Sequence, residues 1–199
     1  MHVLRYLKGT ANVGITYKKN IEEQAIAYSD AYWGNCRVTR RSVSGHLILF
    51  NKGLVIWKTK KQPTVSLLSA EAEYKALCNL ASEVLWFQQF SNEIGLTSKS
   101  QPMTVYEDNQ GCIDTANSDC NANSQRMKHV EIQLHFIREA IKNRKIVLYY
   151  TPTASMLADF LTKSVFKPAI HRAMSGLNLF RLEENGGVKI SERFSKGLN

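Results

Sequence analysis

Residues 24–31, QAIAYSDA, constrain the fold more tightly than any other stretch, because they read as a strand buried on both faces that ends in a carboxylate. Ile26, Tyr28 and Asp30 share one face at period two, while Ala25, Ala27 and Ser29 keep the other face small, so both faces can be covered. An acid is costly to bury unpaired. Asp30 is therefore expected at an open end of a sheet, where water, a cation or other polar groups meet its charge. Three later acids, Glu73, Asp108 and Asp159, are expected at that same end.

The 199 residues suffice for one well-buried domain of roughly 150 residues with an extension at either end. With 44% apolar and 22% charged residues the chain reads as globular and soluble. No apolar run approaches the ~20 residues that span a bilayer, no charged-then-apolar leader opens the chain, and no membrane partner is expected. Cys36, Cys78, Cys112 and Cys120 form no C-x-x-C pair and fit a reducing, intracellular setting. The net charge of +9 favours a polyanionic partner, nucleic acid above all. Its clusters fall at Arg37, Arg40 and Arg41, at Lys58, Lys60 and Lys61, at Arg126, Lys128 and His129, and at Lys142, Arg144 and Lys145.

In chain order, residues 2–8 have a helical pattern and Val13, Ile15 and Tyr17 alternate as a short strand. After the strand at 24–31, two more strands are expected at 46–50 and 54–60, joined by Asn51, Lys52 and a left-handed Gly53. Residues 69–95 form the longest helical segment, with Ser69 as N-cap, Glu71 in the dipole-favoured first turn and Gly95 as the stop. Its apolar stripe of Leu77, Leu80, Val84 and Phe87 leads back one turn to Glu73. Residues 103–108 read as a strand ending in Asp108, and Asn109, Gln110 and Gly111 open a short helix. A helix over 128–143, a strand over 145–150, a helix capped by Ser155 that carries Asp159, and a last helical piece at 168–177 follow; the tail from 183 is expected to be loosely ordered.

The order of elements implies a mixed sheet covered by helices, with ligands favouring the carboxyl ends of its strands. Four acids meeting there, with oxygen ligands only, would select hard cations. A pair of Mg²⁺ ions about 4 Å apart suits in-line phosphodiester hydrolysis. His129 and His135 lie six apart on a helix, not the four of a zinc pair.

Six stretches carry a family resemblance: YSDAYWGN from Tyr28, TRRSVSGHLILF from Thr39, VIWKTKKQPTVSLLSAEAEYKAL from Val55, VYEDNQG from Val105, KHVEIQLHFIREAI from Lys128 and YYTPTASMLADFLTK from Tyr149. Together they resemble the ribonuclease H domain of Ty1/copia-type retrotransposon Pol polyproteins, at the C-terminal part of the reverse transcriptase and ribonuclease H region. The lead-in VLRYLKGTANVGITY resembles the segment joining reverse transcriptase to that domain. The resemblance implies an α/β ribonuclease H-like fold with a five-stranded mixed sheet, three antiparallel strands followed by parallel ones. It divides the chain into a connection tail at 1–20, the domain at 21–165, a helical extension at 166–182 and a flexible tail at 183–199. The family's metal-binding, catalytic acids fall on Asp30, Glu73, Asp108 and Asp159, with Glu71 as the rival for the helix position. Tyr32 stands where a second Asp is usual, Leu68 replaces a Ser and Ser164 replaces a Pro, while residues 151–154 contain no His.

The activity so implied is hydrolysis of the RNA strand of RNA/DNA hybrids with two Mg²⁺ ions, Mn²⁺ being a substitute, alongside an upstream reverse transcriptase domain of the same Pol product. The setting is cytoplasmic or nuclear, and a virus-like particle for an active element. Asn109 and Gln110 are candidates for sensing 2′-hydroxyls. Arg40, Arg41, Lys58, Lys60, Arg126, Lys128 and His129 are candidates for phosphate contact. The alternatives are a DNA-cutting nuclease of the same fold and a catalytically silent nucleic-acid-binding remnant.

Overall fold

The computed structural model describes residues 2–15, 17, 24–97, 101–118 and 131–181. Helix α1 (His2–Gly9) and strand β1 (Val13–Ile15) come first, then β2 (Ala25–Tyr32), β3 (Val43–Phe50) and β4 (Gly53–Lys61), and the long helix α2 (Ser69–Glu93). They are followed by β5 (Met103–Glu107), α3 (Gln110–Asn117), α4 (Glu131–Lys142), β6 (Ile146–Tyr150), a 3₁₀ turn (Thr153–Ser155), α5 (Asp159–Thr162), α6 (Lys167–Gly176) and β7 (Leu179–Arg181).

Five strands form one sheet in the order β4-β3-β2-β5-β6, the expected three antiparallel strands extended by two parallel ones. The QAIAYSDA strand is its centre. Alternation on β2 sorts two cores: Ala25 and Ala27 join Tyr74, Leu77, Leu80 and Val84 of α2 on one face, and Ile26 and Tyr28 join Met156, Ala158 and Leu177 on the other. Burying each of those large aliphatic side chains contributes roughly 1.5–3 kcal/mol. Small residues govern how close α2 comes. Ala31 of β2 meets Ala72 and Ala76 of α2 with nothing larger between, so the first turns of the helix lie against the end of the strand.

Three local expectations are corrected and one feature is added. Ser69 is the first helical residue, not the cap; the extended Leu68 precedes it, and the Glu71 carboxylate folds back to accept from the Leu67 N–H at 2.7 Å, which removes the need for a capping hydroxyl. At the β3/β4 turn it is Asn51 and Lys52 that have positive φ, 48° and 66°, making a two-residue turn; Gly53 begins β4, where a Cβ would come within 2.6 Å of the Tyr17 ring. Ser155 does not start a helix, because residues 153–155 form a 3₁₀ turn and α5 begins only at Asp159, after Met156 and Ala158 have been buried under the sheet. Last, β7 pairs antiparallel with β1 in a separate two-stranded sheet that was not anticipated. The expectations at Cys120, Arg126, Lys128 and His129, the start of the helix at 128, and the tail from 183 lie outside the described residues.

Candidate active site

Three of the four acids come together. Asp30, near the end of β2, Glu73, in the second turn of α2, and Asp108, directly after β5, each offer a carboxylate oxygen, and these oxygens lie within 4.8 Å of one another. Asp30 and Glu73 are buried and Asp108 is half-buried. The parallel pairing of β2 with β5 brings Asp30 and Asp108 to the same sheet end. The close approach of α2 supplies Glu73 from the opposite face.

Helix α5 completes the setting. Its Thr162 hydroxyl donates to Asp30 Oδ2, and Gly45, directly across from Asp30 on β3, leaves the room for this. A Cβ at Gly45 would sit 2.7 Å from Thr162 Cγ2 and 2.8 Å from Leu161 Cβ. Gly45→Ala is accordingly expected to push α5 off the sheet and lower stability by about 1–3 kcal/mol. Thermal denaturation checks this, and an unchanged melting temperature would refute it.

Asp159, at the start of α5, is not among the three. It pairs with Lys163 through Oδ1 at 2.7 Å. Thr153, from the loop after β6, donates to Asp108 Oδ2 at 2.7 Å. Glu71, the rival of Glu73, is fully buried elsewhere, in an ion pair with Lys75 at 2.7 Å.

Burial and mutual repulsion shape the electrostatics. Asp30 is pushed up to about 6, first by desolvation and further by Asp159 and Asp108, against the opposing Thr162 hydrogen bond and Lys163 charge. Glu73 rises to about 10, again chiefly by desolvation, then by Glu107, Asp30 and Asp108. Its Oε2 is buried without a hydrogen-bond partner. Glu107 was missed at the sequence level. It is fully buried behind the site, its Oε1 accepts from the Asn109 N–H at 3.3 Å, and desolvation holds its carboxyl well above the usual range. The signal was present, since Met103, Val105 and Glu107 alternate onto one face of β5. Converging oxygen donors, an orphaned carboxylate oxygen and acids held partly protonated fit a site made for a hard divalent cation, whose charge would displace those protons.

The other candidates scatter. Asn109 caps α3, its side chain accepting from the Cys112 N–H at 3.0 Å, and Gln110 donates to Asp114 at 2.8 Å. Arg40, at φ 53°, and Arg41 are exposed in the β2/β3 connection. Lys58 pairs with Glu83 of α2 at 2.7 Å, and Lys60 is exposed on β4.

No family model matches the chain. Among known proteins, it is 34% identical over 90% of its length to a retrovirus-related Pol polyprotein from transposon RE1 of Arabidopsis thaliana, and 34% identical over 82% to one from transposon TNT 1-94 of Nicotiana tabacum. It spans about 12% of the length of each of these relatives. Among solved structures it is similar to a ribonuclease H1 isolated from compost by a metagenomic approach, with TM-score 0.53 and 17% identity, covering 74% of this chain and 99% of that one. The same enzyme in complex with an RNA/DNA hybrid matches with TM-score 0.52 and 16% identity. By descent the chain is thus a homologue of Ty1/copia-type transposon Pol polyproteins, and its fold is that of the ribonuclease H domains.

Proposed function

We propose that this domain hydrolyses the RNA strand of RNA/DNA hybrids during retrotransposon reverse transcription, working beside a reverse transcriptase domain of the same Pol product. The observation that carries this reading is the convergence of Asp30, Glu73 and Asp108 at one sheet end of a ribonuclease H-like fold. Homology to transposon Pol polyproteins and a structural neighbour bound to an RNA/DNA hybrid support the choice of substrate. On this reading residues 21–165 are the nuclease, preceded by a connection segment and followed by a short extension.

Asp30, Glu73 and Asp108 would hold divalent metal, with Asp159 as the fourth ligand once it leaves Lys163. Two Mg²⁺ ions, or Mn²⁺ in their place, would supply Lewis-acid stabilisation of the charge that develops on the attacking and departing oxygens. The chain's own groups fix the acids. The Thr162 hydroxyl orients Asp30 and the Thr153 hydroxyl orients Asp108, each holding one carboxylate oxygen and leaving the other for a ligand. Glu73, whose carboxyl is pushed up first by desolvation and then by the neighbouring acids, must lose its proton before it can ligate. On this reading Asn109 and Gln110, which follow Asp108 directly in the chain, would sense 2′-hydroxyls after leaving their contacts with Cys112 and Asp114, and the exposed Arg40, Arg41 and Lys60 would meet phosphates.

The decisive assay presents a labelled RNA/DNA hybrid, duplex DNA and duplex RNA to the chain with millimolar Mg²⁺. Cleavage confined to the RNA strand of the hybrid is expected. Preference for duplex DNA would instead make it a DNA-cutting member of the fold, and binding without turnover would make it a silent remnant.

A further inference from the structure

A single short segment supplies a donor to each acid on its side of the site: Thr153 to Asp108, Thr162 to Asp30 and Lys163 to Asp159. Two of these donors are neutral hydroxyls. The third is a full charge. Lys163 follows α5 immediately in extended backbone, φ −146° and ψ 159°, so the contact of Thr162 with Asp30 also fixes where Lys163 emerges. Its Nζ lies 2.7 Å from Asp159 Oδ1 and 6.0 Å from the centroid of the Tyr32 ring, which is itself 42% exposed. Its charge acts on Asp30 and Asp108 as well as on Asp159. That charge opposes the rise of the Asp30 carboxyl.

An ammonium pinned between one carboxylate and an aromatic face uses few of its three donors. The Lys163 side chain stays 29% exposed, so the remainder is open to an incoming anion. A phosphodiester strand laid over the acids brings such an anion to this place, and a compact ammonium is a suitable point charge for one of its oxygens. We propose that Lys163 is a substrate-contacting residue, its ammonium engaging a backbone phosphate beside the Asp30, Glu73 and Asp108 triad, with the Tyr32 ring supporting the ammonium from below. Asp159, relieved of its ion pair by that phosphate, becomes available to the metal. This role rests on the nuclease reading above.

The test measures hybrid affinity against salt in the presence of Mg²⁺, in an Asp108→Asn background where the substrate survives. Each phosphate neutralised contributes about 0.7–0.9 to the slope of log affinity on log salt. Lys163→Met should lower that slope by about this amount, Lys163→Gln should repeat the loss, and Lys163→Arg should restore it. In the otherwise unchanged chain, Lys163→Met should reduce kcat/KM about tenfold. A slope unchanged by Lys163→Met overturns the proposal, since a residue that only positions Asp159 would alter the Mg²⁺ dependence and not the salt slope. Failure of the nuclease reading looks different: the parent chain itself would leave the hybrid intact.

Discussion

Asp108→Asn is expected to abolish Mg²⁺-dependent cleavage while making the metal-free protein more stable. The amide keeps the shape of the side chain and its contact with Thr153, but removes one of the three carboxyl groups whose oxygens gather within 4.8 Å. Lewis-acid stabilisation is worth several kcal/mol, so its loss at 1.36 kcal/mol per tenfold costs on the order of 10³-fold or more in rate. The stability effect has the opposite sign. Asp30 carries a folded-state value of about 6 against an ordinary 3.8, so its contribution to stability is full below the lower value and is lost as pH rises through about 6. At neutral pH that loss amounts to about 3 kcal/mol, of which desolvation is the larger share and Asp108 a smaller one. Asp108 also repels Glu73 and Glu107, so its removal should return on the order of 1 kcal/mol in all, a rise of roughly 2–4 °C in melting temperature near pH 8 that fades towards pH 4. Mg²⁺ should raise the melting temperature of the parent and have little effect on the variant. Cleavage at the parental rate would remove the acid cluster from the chemistry, and a variant destabilised at pH 8 would mean that the acids do not repel one another.

How much of this was legible in the sequence depends on the range of the interactions involved. Period-two alternation carried Asp30 to the end of a buried strand, and the stripe through Leu77, Leu80, Val84 and Phe87 pointed to Glu73, because both patterns are written within single elements. The choice between Glu73 and Glu71 follows from helix geometry. At ~100° per residue the two side chains diverge by about 200°, so one turn of α2 directs one acid to the sheet end and the other to the preceding loop. What stayed hidden was tertiary. Gly45 reads locally as the end of the polar connection before the strand expected at 46–50, and only the approach of Leu161 and Thr162, more than a hundred residues later, reveals why no side chain fits there. Strand β7 is three residues long and acquires its partner from the opposite end of the chain, so nothing within 179–181 announces it. Ser155 has the residue type of a cap, but residue type carries nothing of the burial of Met156 beneath the sheet, which ends the turn there.

Lys75→Met is expected to produce the largest loss of stability on the helix side of the site, about 3–5 kcal/mol, as is typical when one member of a buried ion pair is removed. The Lys75 ammonium is all but enclosed, and donates to Glu71 Oε1 at 2.7 Å, Thr64 Oγ1 at 2.9 Å and Ser66 Oγ at 3.1 Å. Ser66 in turn donates to Gln62, whose amide reaches Ser44 of β3 and the carbonyl of Ala72. The network thus ties residues 62–67 to both the sheet and the first turns of α2, and the Trp33 indole bound to the Ser66 carbonyl joins it to the exit of β2. Methionine fills a similar volume but leaves the enclosed Glu71 carboxylate without its ammonium, and that uncompensated charge dominates the loss. A melting temperature roughly 10 °C lower is the corresponding reading. Pairing the change with Glu71→Leu should recover most of it, since an apolar pair of similar volume avoids both desolvation penalties. Because Asp30, Glu73 and Asp108 form the cluster without Glu71 or Lys75, the double variant should still cleave hybrid below its melting temperature. If Lys75→Met alone melts with the parent, the pair is not what seats α2. If the double variant folds but has lost cleavage, the network also sets the position of Glu73, two residues further along α2 from Glu71.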